Sequence, residues 1–439
     1  MKGKLFFKGA AFALGFFLFY GIAVCAEYAL DVKTDKPEAL YSVGEKITFN
    51  ILLTEDGKPV SGKAVNYSIA RDGGSPQKGT VTSAETPVTV ETTMENPGFA
   101  LLTASFTDEG GKKISGLVGA GAEPLKIKPG LEVKDDFDNF WNAKKEELNK
   151  LPLEVRMEPA AVPAALKGKV ECFDIKVNCL GGKPVSGYFA RPVNAAKASL
   201  PAIVTYHGAG VYSAGKETAC NWAVKGMLAL DINAHGIENG KPLEFYKDLN
   251  DNALKGYPHF DEGDREKCYF LGMFQRVYRS LQFIKSQPEW DGKCLVTRGS
   301  SQGGGQSIAA AGLDPQVSFC AAFVPALCDH YGYLAKRQNG WPRFIANKDG
   351  KALKEDVAAT SKYFDGVNFA SRIKGDAIFT VGFIDITCCP SSVYAAYNSV
   401  PGKKEIVNNP LFGHRNPPEA GKIVDNAIDA HVKTMSSGD

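Results

Sequence analysis

Gly299-Ser300-Ser301-Gln302-Gly303 follows the apolar pair Leu295-Val296 and leads into the small-residue segment Ser307 to Ala311. Set between a strand and a helix, a Gly-x-Ser-x-Gly run makes a sharp turn that lifts its central serine above the end of a sheet. Glycine suits the positions two residues either side of Ser301, because a side chain there collides with neighbouring backbone. In a chain with 46 glycines the pattern decides nothing alone, so the flanks and the chemical partners carry the reading.

Those partners have a required order. A serine hydroxyl is a poor nucleophile at neutral pH and needs a base, which in turn needs an orienting acid. In an α/β-hydrolase the three follow as serine, acid and histidine, each in a loop after a strand. Only His414 and His431 lie downstream of His330. His414, in Phe412-Gly413-His414-Arg415, falls between the last strand candidate and the terminal helix, and is the expected base. His431 sits inside that helix and reads as a solvated helix residue. Asp385 follows the apolar run Ile378 to Ile384, whereas Asp376 stands at the wrong end of it. Asp385 is therefore the expected acid; its competing reading is a cap for a helix starting near Pro390. The oxyanion hole is expected from the backbone N–H of Gln302 and that of Ala209, in Tyr206-His207-Gly208-Ala209-Gly210. His207 reads as shaping that loop.

Around this centre the sequence divides into three. Residues 1–26 open with Lys2, Lys4 and Lys8 ahead of the uncharged stretch Gly9 to Val24, which reads as an export signal cleaved after Ala26. No stable membrane insertion is expected after cleavage, the alternative being a short uncleaved anchor. Residues 27–129 alternate, with Ile47, Phe49, Ile51 and Leu53 on one face and Val65, Tyr67 and Ile69 on another strand. Turn residues separate these runs, as in an immunoglobulin-like β-sandwich. From residue 130 to 439, strands alternate with helical patterns. A hairpin around Gly181-Gly182-Lys183-Pro184 comes first. Buried strands follow at Ala202 to Tyr206, Met227 to Ile232, Cys294 to Thr297, Phe319 to Val324, Ala377 to Val381 and Glu405 to Val407. Helices are expected at Glu266 to Ser286, after Ser301, and at Pro418 to Lys433. The class is α/β: a mostly parallel sheet with helices on both faces, preceded by the sandwich.

Composition removes some partners. Of 439 residues 44% are hydrophobic and 23% charged, and the net charge is +2 without a basic run in the body, so nucleic acid is not expected. Cleavage would leave nine of ten cysteines, an odd number, so at least one thiol stays free or pairs between molecules. Cys172 and Cys179 lie too far apart along one strand to bridge, and Cys294, Cys320 and Cys328 sit in apolar runs as buried thiols. The adjacent Cys388-Cys389 could form only a strained bridge. No cofactor is expected, and no Cys or His spacing suggests a metal.

The residues then add up to a resemblance. The run Gly299-Ser-Ser-Gln-Gly-Gly-Gly305 with Ala309-Ala-Ala-Gly-Leu-Asp-Pro315, Val381-Gly-Phe-Ile-Asp385 with Pro390-Ser-Ser-Val-Tyr-Ala-Ala-Tyr-Asn398, and Phe412-Gly-His414 are similar to the acetyl xylan esterase and cephalosporin C deacetylase family. This is carbohydrate esterase family 7. Tyr206-His-Gly208, Tyr269-Phe270 and Asp136-Phe137-Asp-Asn-Phe-Trp141 match too. The resemblance spans about residues 130 to 435. It implies an α/β-hydrolase that deacetylates xylan fragments and small acetyl esters without a metal. Ser301, Asp385 and His414 would act with the Gln302 and Ala209 amides, and a homo-oligomer is implied as possible. Three positions depart from the family: Ala234-His235-Gly236 replaces Arg-Gly-Gln, Arg415 replaces a glutamate, and Ala209 replaces a tyrosine. Competing expectations are a hydrolase for a bulkier ester or a peptide, and a non-catalytic surface protein whose sandwich binds glycan.

Overall fold

The computed structural model describes residues 27–72, 74–131, 136–345 and 354–437; the expected leader, 1–26, lies outside them. Nine strands form one mixed sheet in the order Val155–Pro159, Val170–Val177, Val185–Pro192, Leu228–Ile232, Leu200–Tyr206, Trp290–Ser300, Phe319–Phe323, Asp376–Gly382 and Lys404–Asn409. The first three pairings are antiparallel and the remaining five parallel. The expected hairpin is present, with Val170 opposite Pro192 and Val177 opposite Val185.

The parallel strands are buried on both faces, as near-continuous apolar runs require. In Leu200–Tyr206, Ala202 and Val204 join one apolar cluster and Ile203 the other. Helices Asp136–Asn149, Tyr269–Lys285, Gln302–Leu313 and Pro390–Ser399 cover the first face; Lys216–Ala223 and Pro418–Ser437 cover the second. The architecture is that of an α/β-hydrolase-like fold. After Leu200–Tyr206 the chain adds Leu228–Ile232 on one side and Trp290–Ser300 on the other. This reversal opens a crevice at the carboxyl ends of the strands, and Tyr206 lies opposite Gly299 in the register, so both adjoining loops enter it.

Residues 28–122 form two further sheets, one holding Lys46–Glu55 and the other Gly98–Thr107. Ile47, Phe49, Ile51 and Leu53 alternate inward to meet Val65, Ile69, Leu102 and Val118, each at most 1% exposed. Each such side chain contributes about 1.5–3 kcal/mol through burial. The unit is tightly joined to the larger sheet. Gly119 N–H donates to Pro410 O at 3.2 Å, and a Cβ at Gly119 would stand 2.5 Å from Phe383 O, so only glycine allows that approach. Ala39, Phe99 and Ile127 belong to the main core cluster.

Candidate active site

The turn after Trp290–Ser300 sets Ser301 at φ 58 and ψ −122, a conformation that costs a non-glycine residue about 1–3 kcal/mol. Three backbone hydrogen bonds hold it there. Ser301 N–H donates to Phe323 O at 2.8 Å, and Ser301 O accepts from Gly305 at 3.1 Å and Ala326 at 2.9 Å. A Cβ at Gly299 would lie 2.2 Å from Gly303 O, and one at Gly303 2.1 Å from Tyr206 O. Both flanking glycines are thus required by close backbone approach.

His414 reaches Ser301 from the loop after Lys404–Asn409. Its Nε2 stands 2.8 Å from Ser301 Oγ, and its Nδ1 2.8 Å from Asp385 Oδ2. A carboxylate can only accept, so Nδ1 carries the proton and Nε2 is free to accept from the serine hydroxyl. The Asp385 side chain is fully buried, whereas that of His414 is 29% exposed. Asp385 Oδ1 accepts from Thr387 N at 2.8 Å and Cys388 N at 3.0 Å, which fixes the carboxylate's plane. Cys389, not Asp385, stands before the helix Pro390–Ser399, so the capping alternative does not apply. The apolar run ends as a strand at Gly382; Ile384 N–H instead donates to Phe412 O at 3.2 Å, joining the loop of Asp385 to that of His414. The Cys388 thiol lies beside Ser301, and burial together with the Asp385 charge raises its pKa well above the ordinary value. It stays protonated and does not compete as a nucleophile.

Gln302 opens the helix Gln302–Leu313, so its N–H has no acceptor within that helix. Ala209 N–H has no backbone partner among the described residues. A Cβ at Gly208 would lie 3.8 Å from Ser301 Cβ, so the His207–Gly210 loop borders Ser301. Behind it runs a hydrogen-bonded chain: Gly210 N–H donates to Tyr257 Oη at 3.3 Å, and Tyr257 donates to Gln302 Oε1 at 2.7 Å. His207 Nδ1–H donates to Gly208 O at 2.7 Å while its Nε2 accepts from Ala234 N at 3.2 Å. Burial lowers its pKa to about 4. With both ring nitrogens engaged by backbone, His207 is not poised to serve Ser301.

The three departures have structural counterparts. Ala209 offers no ring, but Tyr212 stacks on His207 with centroids 4.1 Å apart and donates to Gly208 O at 3.1 Å. A tyrosine from three residues on thus walls the loop, a contribution that spacing alone did not reveal. At Ala234-His235-Gly236, His235 is buried, donates from Nε2 to Gly210 O at 2.9 Å and accepts at Nδ1 from Tyr269 at 2.8 Å. Burial lowers its pKa to about 3. Arg276, from the helix Tyr269–Lys285, supplies a guanidinium to Ala234 O through Nε at 3.2 Å and Nη2 at 2.7 Å. Arg415 lies over the Phe412 ring at 5.5 Å.

His431 differs from its expected solvated state. It is partly buried, bonds through Nε2 to Ser318 Oγ at 2.9 Å and packs on Phe319, because the terminal helix lies flat on the sheet. It does not approach Ser301. Among the described residues all nine cysteines carry free, buried thiols, and no three His, Cys, Asp or Glu side chains converge as a metal site. No helix among those residues is long and apolar enough to cross a membrane.

The family model for acetyl xylan esterase (AXE1) matches residues 124–425. The acetyl esterase Axe7A of Xylanibacter ruminicola is 29% identical over 394 residues, covering 89% of this chain and 87% of its own. Such a length extends the likeness into the N-terminal sheets. The solved acetyl xylan esterase of a Paenibacillus species superposes with a TM-score of 0.61 at 29% identity, covering 70% of this chain and 98% of its own. Acetyl xylan esterase 1 of a Thermoanaerobacterium species gives 0.57 at 23% identity over the same shares, a likeness of fold.

Proposed function

Because this chain belongs to the acetyl xylan esterase family and is a hydrolytic esterase, we propose that it removes O-acetyl groups from acetylated xylan fragments or related small acetyl esters through a Ser301–His414–Asp385 acyl-enzyme. The observation that carries this reading is the unbroken line of hydrogen bonds from Ser301 Oγ through both His414 nitrogens to Asp385, at 2.8 Å each.

Ser301 Oγ attacks the acetyl carbonyl carbon as its proton passes to His414 Nε2. The negative charge moves to the carbonyl oxygen, where the Gln302 and Ala209 N–H groups stabilise it, each donor being worth about 3 kcal/mol. Asp385 keeps its charge and steadies the imidazolium. Collapse breaks the bond to the sugar oxygen, which leaves with the His414 proton. Water then gives a proton to His414 and attacks the acetyl-serine; collapse releases acetate and returns the proton to Ser301. An intact line of this kind weighs against a purely scaffolding role, which has no use for a hydrogen-bonded serine at positive φ.

The same reading takes residues 27–129 as an immunoglobulin-type sandwich acting as a packing module and 130–439 as the esterase domain. The basic and apolar character of residues 1–26 supports export. Acetate release from acetylated xylo-oligosaccharides, measured for the native chain and Ser301→Ala, tests the proposal. Release that persists in the variant, or turnover confined to long acyl chains, would overturn it.

A further inference from the structure

A cavity of about 540 Å³, lined in part by His235 and Tyr269, lies against the helix Tyr269–Lys285. Its walls are charged in an unbalanced way. Lys144 is held by Glu147 at 3.0 Å and Glu266 at 2.7 Å, and Lys267 by Asp264 at 2.9 Å. Arg276 and Lys183, which also line it, form no ion pair among the described residues. Arg276 is only 5% exposed, and a buried guanidinium without a carboxylate is costly. Its Nε and Nη2 meet Ala234 O, while Nη1 has no hydrogen-bond acceptor among the described residues. A Cβ at Gly272 would stand 3.3 Å from Nη1, so the glycine leaves that nitrogen uncovered on the cavity wall. Beside it, Gln275 is 7% exposed and its amide also has no hydrogen-bond partner among the described residues. Apolar surface from Ile237, Leu254 and Phe260 completes the wall.

We propose that this cavity binds a carboxylated sugar, with Arg276 and Lys183 taking the carboxylate, Gln275 a ring hydroxyl, and the apolar wall the C–H face of the ring. A carboxylate fits because Arg276 Nη1 and the Lys183 ammonium supply charge-assisted donors, while the lining carboxylates Glu147 and Glu266 are taken up by Lys144. The amide and the apolar wall select a polyol ring over a bare ion. That the carboxylate is carried on a sugar rests on the esterase reading; the anion requirement does not. The cavity shares His235 and Tyr269 with the support of the Gly210 loop, and Ser301, His414 and Asp385 are not among the residues that line it.

The test is calorimetric titration of the full chain with D-glucuronate, D-xylose and acetate, which the enzyme does not turn over. Glucuronate is expected to bind at least about tenfold more tightly than either of the others, and to weaken at high salt. Lys183→Ala, a surface change that leaves acetate release from a neutral acetyl ester unaltered, should weaken glucuronate about tenfold, and Arg276→Gln at least as much. Equal binding of glucuronate and xylose, equal binding of glucuronate and acetate, or no effect of Lys183→Ala on glucuronate would overturn the proposal. Acetate release by the native enzyme reports separately on the esterase reading.

Discussion

Phe99, from the N-terminal sheets, packs edge-on against Phe383 with ring centroids 4.9 Å apart, two residues before Asp385. Both rings are nearly sealed from solvent, at 4% and 1% exposure. The accessory unit therefore braces the loop that holds Asp385. Phe99→Ala should cost about 3–5 kcal/mol of stability. It should also lower kcat more than it raises KM, because the loop that fixes the imidazole loses its backing. Thermal melts and steady-state kinetics beside Phe99→Leu check this; an unchanged kcat would confine the contact to stability.

Replacing Asp385 by asparagine retains the volume but loses the carboxylate that holds the proton on His414 Nδ1. A fall in kcat of about 10³- to 10⁴-fold is expected, with native melting behaviour. A smaller loss than that of Tyr257→Phe, measured in the same assay, would count against Asp385 as the acid.

Gly303→Ala puts a methyl group 2.1 Å from Tyr206 O, a main-chain atom at the sheet's centre. The turn must open to admit it, moving Ser301 and the Gln302 amide together. Loss of activity by at least about 10²-fold is expected, since a displacement of about 1 Å in the reacting geometry has that effect. A soluble, fully active Gly303→Ala would show that the turn tolerates a side chain.

Tyr212 stands where the loop beside Ser301 meets solvent, 39% exposed. Tyr212→Ala should raise relative turnover of butyryl and longer esters against acetyl esters by about tenfold, as removing a wall admits a few more methylenes. Tyr212→Phe keeps the ring and should retain acetyl preference. Identical chain-length profiles for the two variants would remove Tyr212 from substrate selection.

Asp72, partly buried at the seam between the units, accepts from Phe99 N at 2.8 Å and from Ser391 Oγ at 3.2 Å. Burial raises its pKa to about 6 from the ordinary 3.8. The folded state thus binds a proton more tightly than the unfolded chain. The stability this gives is fully present below pH 4 and is lost as pH rises through about 6. Asp72→Asn can keep both hydrogen bonds and removes the titration. It should be more stable than the native chain by about 2 kcal/mol above pH 7, a figure reduced for residual solvent contact, and similar to it near pH 4. Urea unfolding at the two pH values measures the difference.

Much of this was legible because the deciding residues sit at strand ends. Gly299 to Gly303, Asp385 and His414 are each fixed by a local pattern of apolar run then loop, and the structure brings the three side chains into contact. Less legible were features whose cause is tertiary. The strand Val155–Pro159 is exposed along its whole length, so it carries no alternation to read; it exists because Val170–Val177 offers an edge. His431 has the periodicity of a helix surface, and only the flat packing of that helix on Phe319 draws it inward. Tyr212 walls the loop beside Ala209 and Arg276 holds Ala234 O from elsewhere in the chain, and no spacing rule links such pairs. The docking of Gly119 on Phe383 joins residues far apart in sequence through bare backbone, which leaves only a glycine as its trace.

The nine free thiols have a further consequence. All are shielded in the native state, and burial raises the pKa of Cys172, Cys268, Cys294 and Cys320 to about 12, so the folded protein resists oxidation although no disulfide ties the described residues together. Any molecule that unfolds where oxidants are present exposes all of those sulfurs at once, and random cross-linking then competes with refolding. Survival of the enzyme in such surroundings is set by how seldom it opens, a matter of barrier height more than of equilibrium balance.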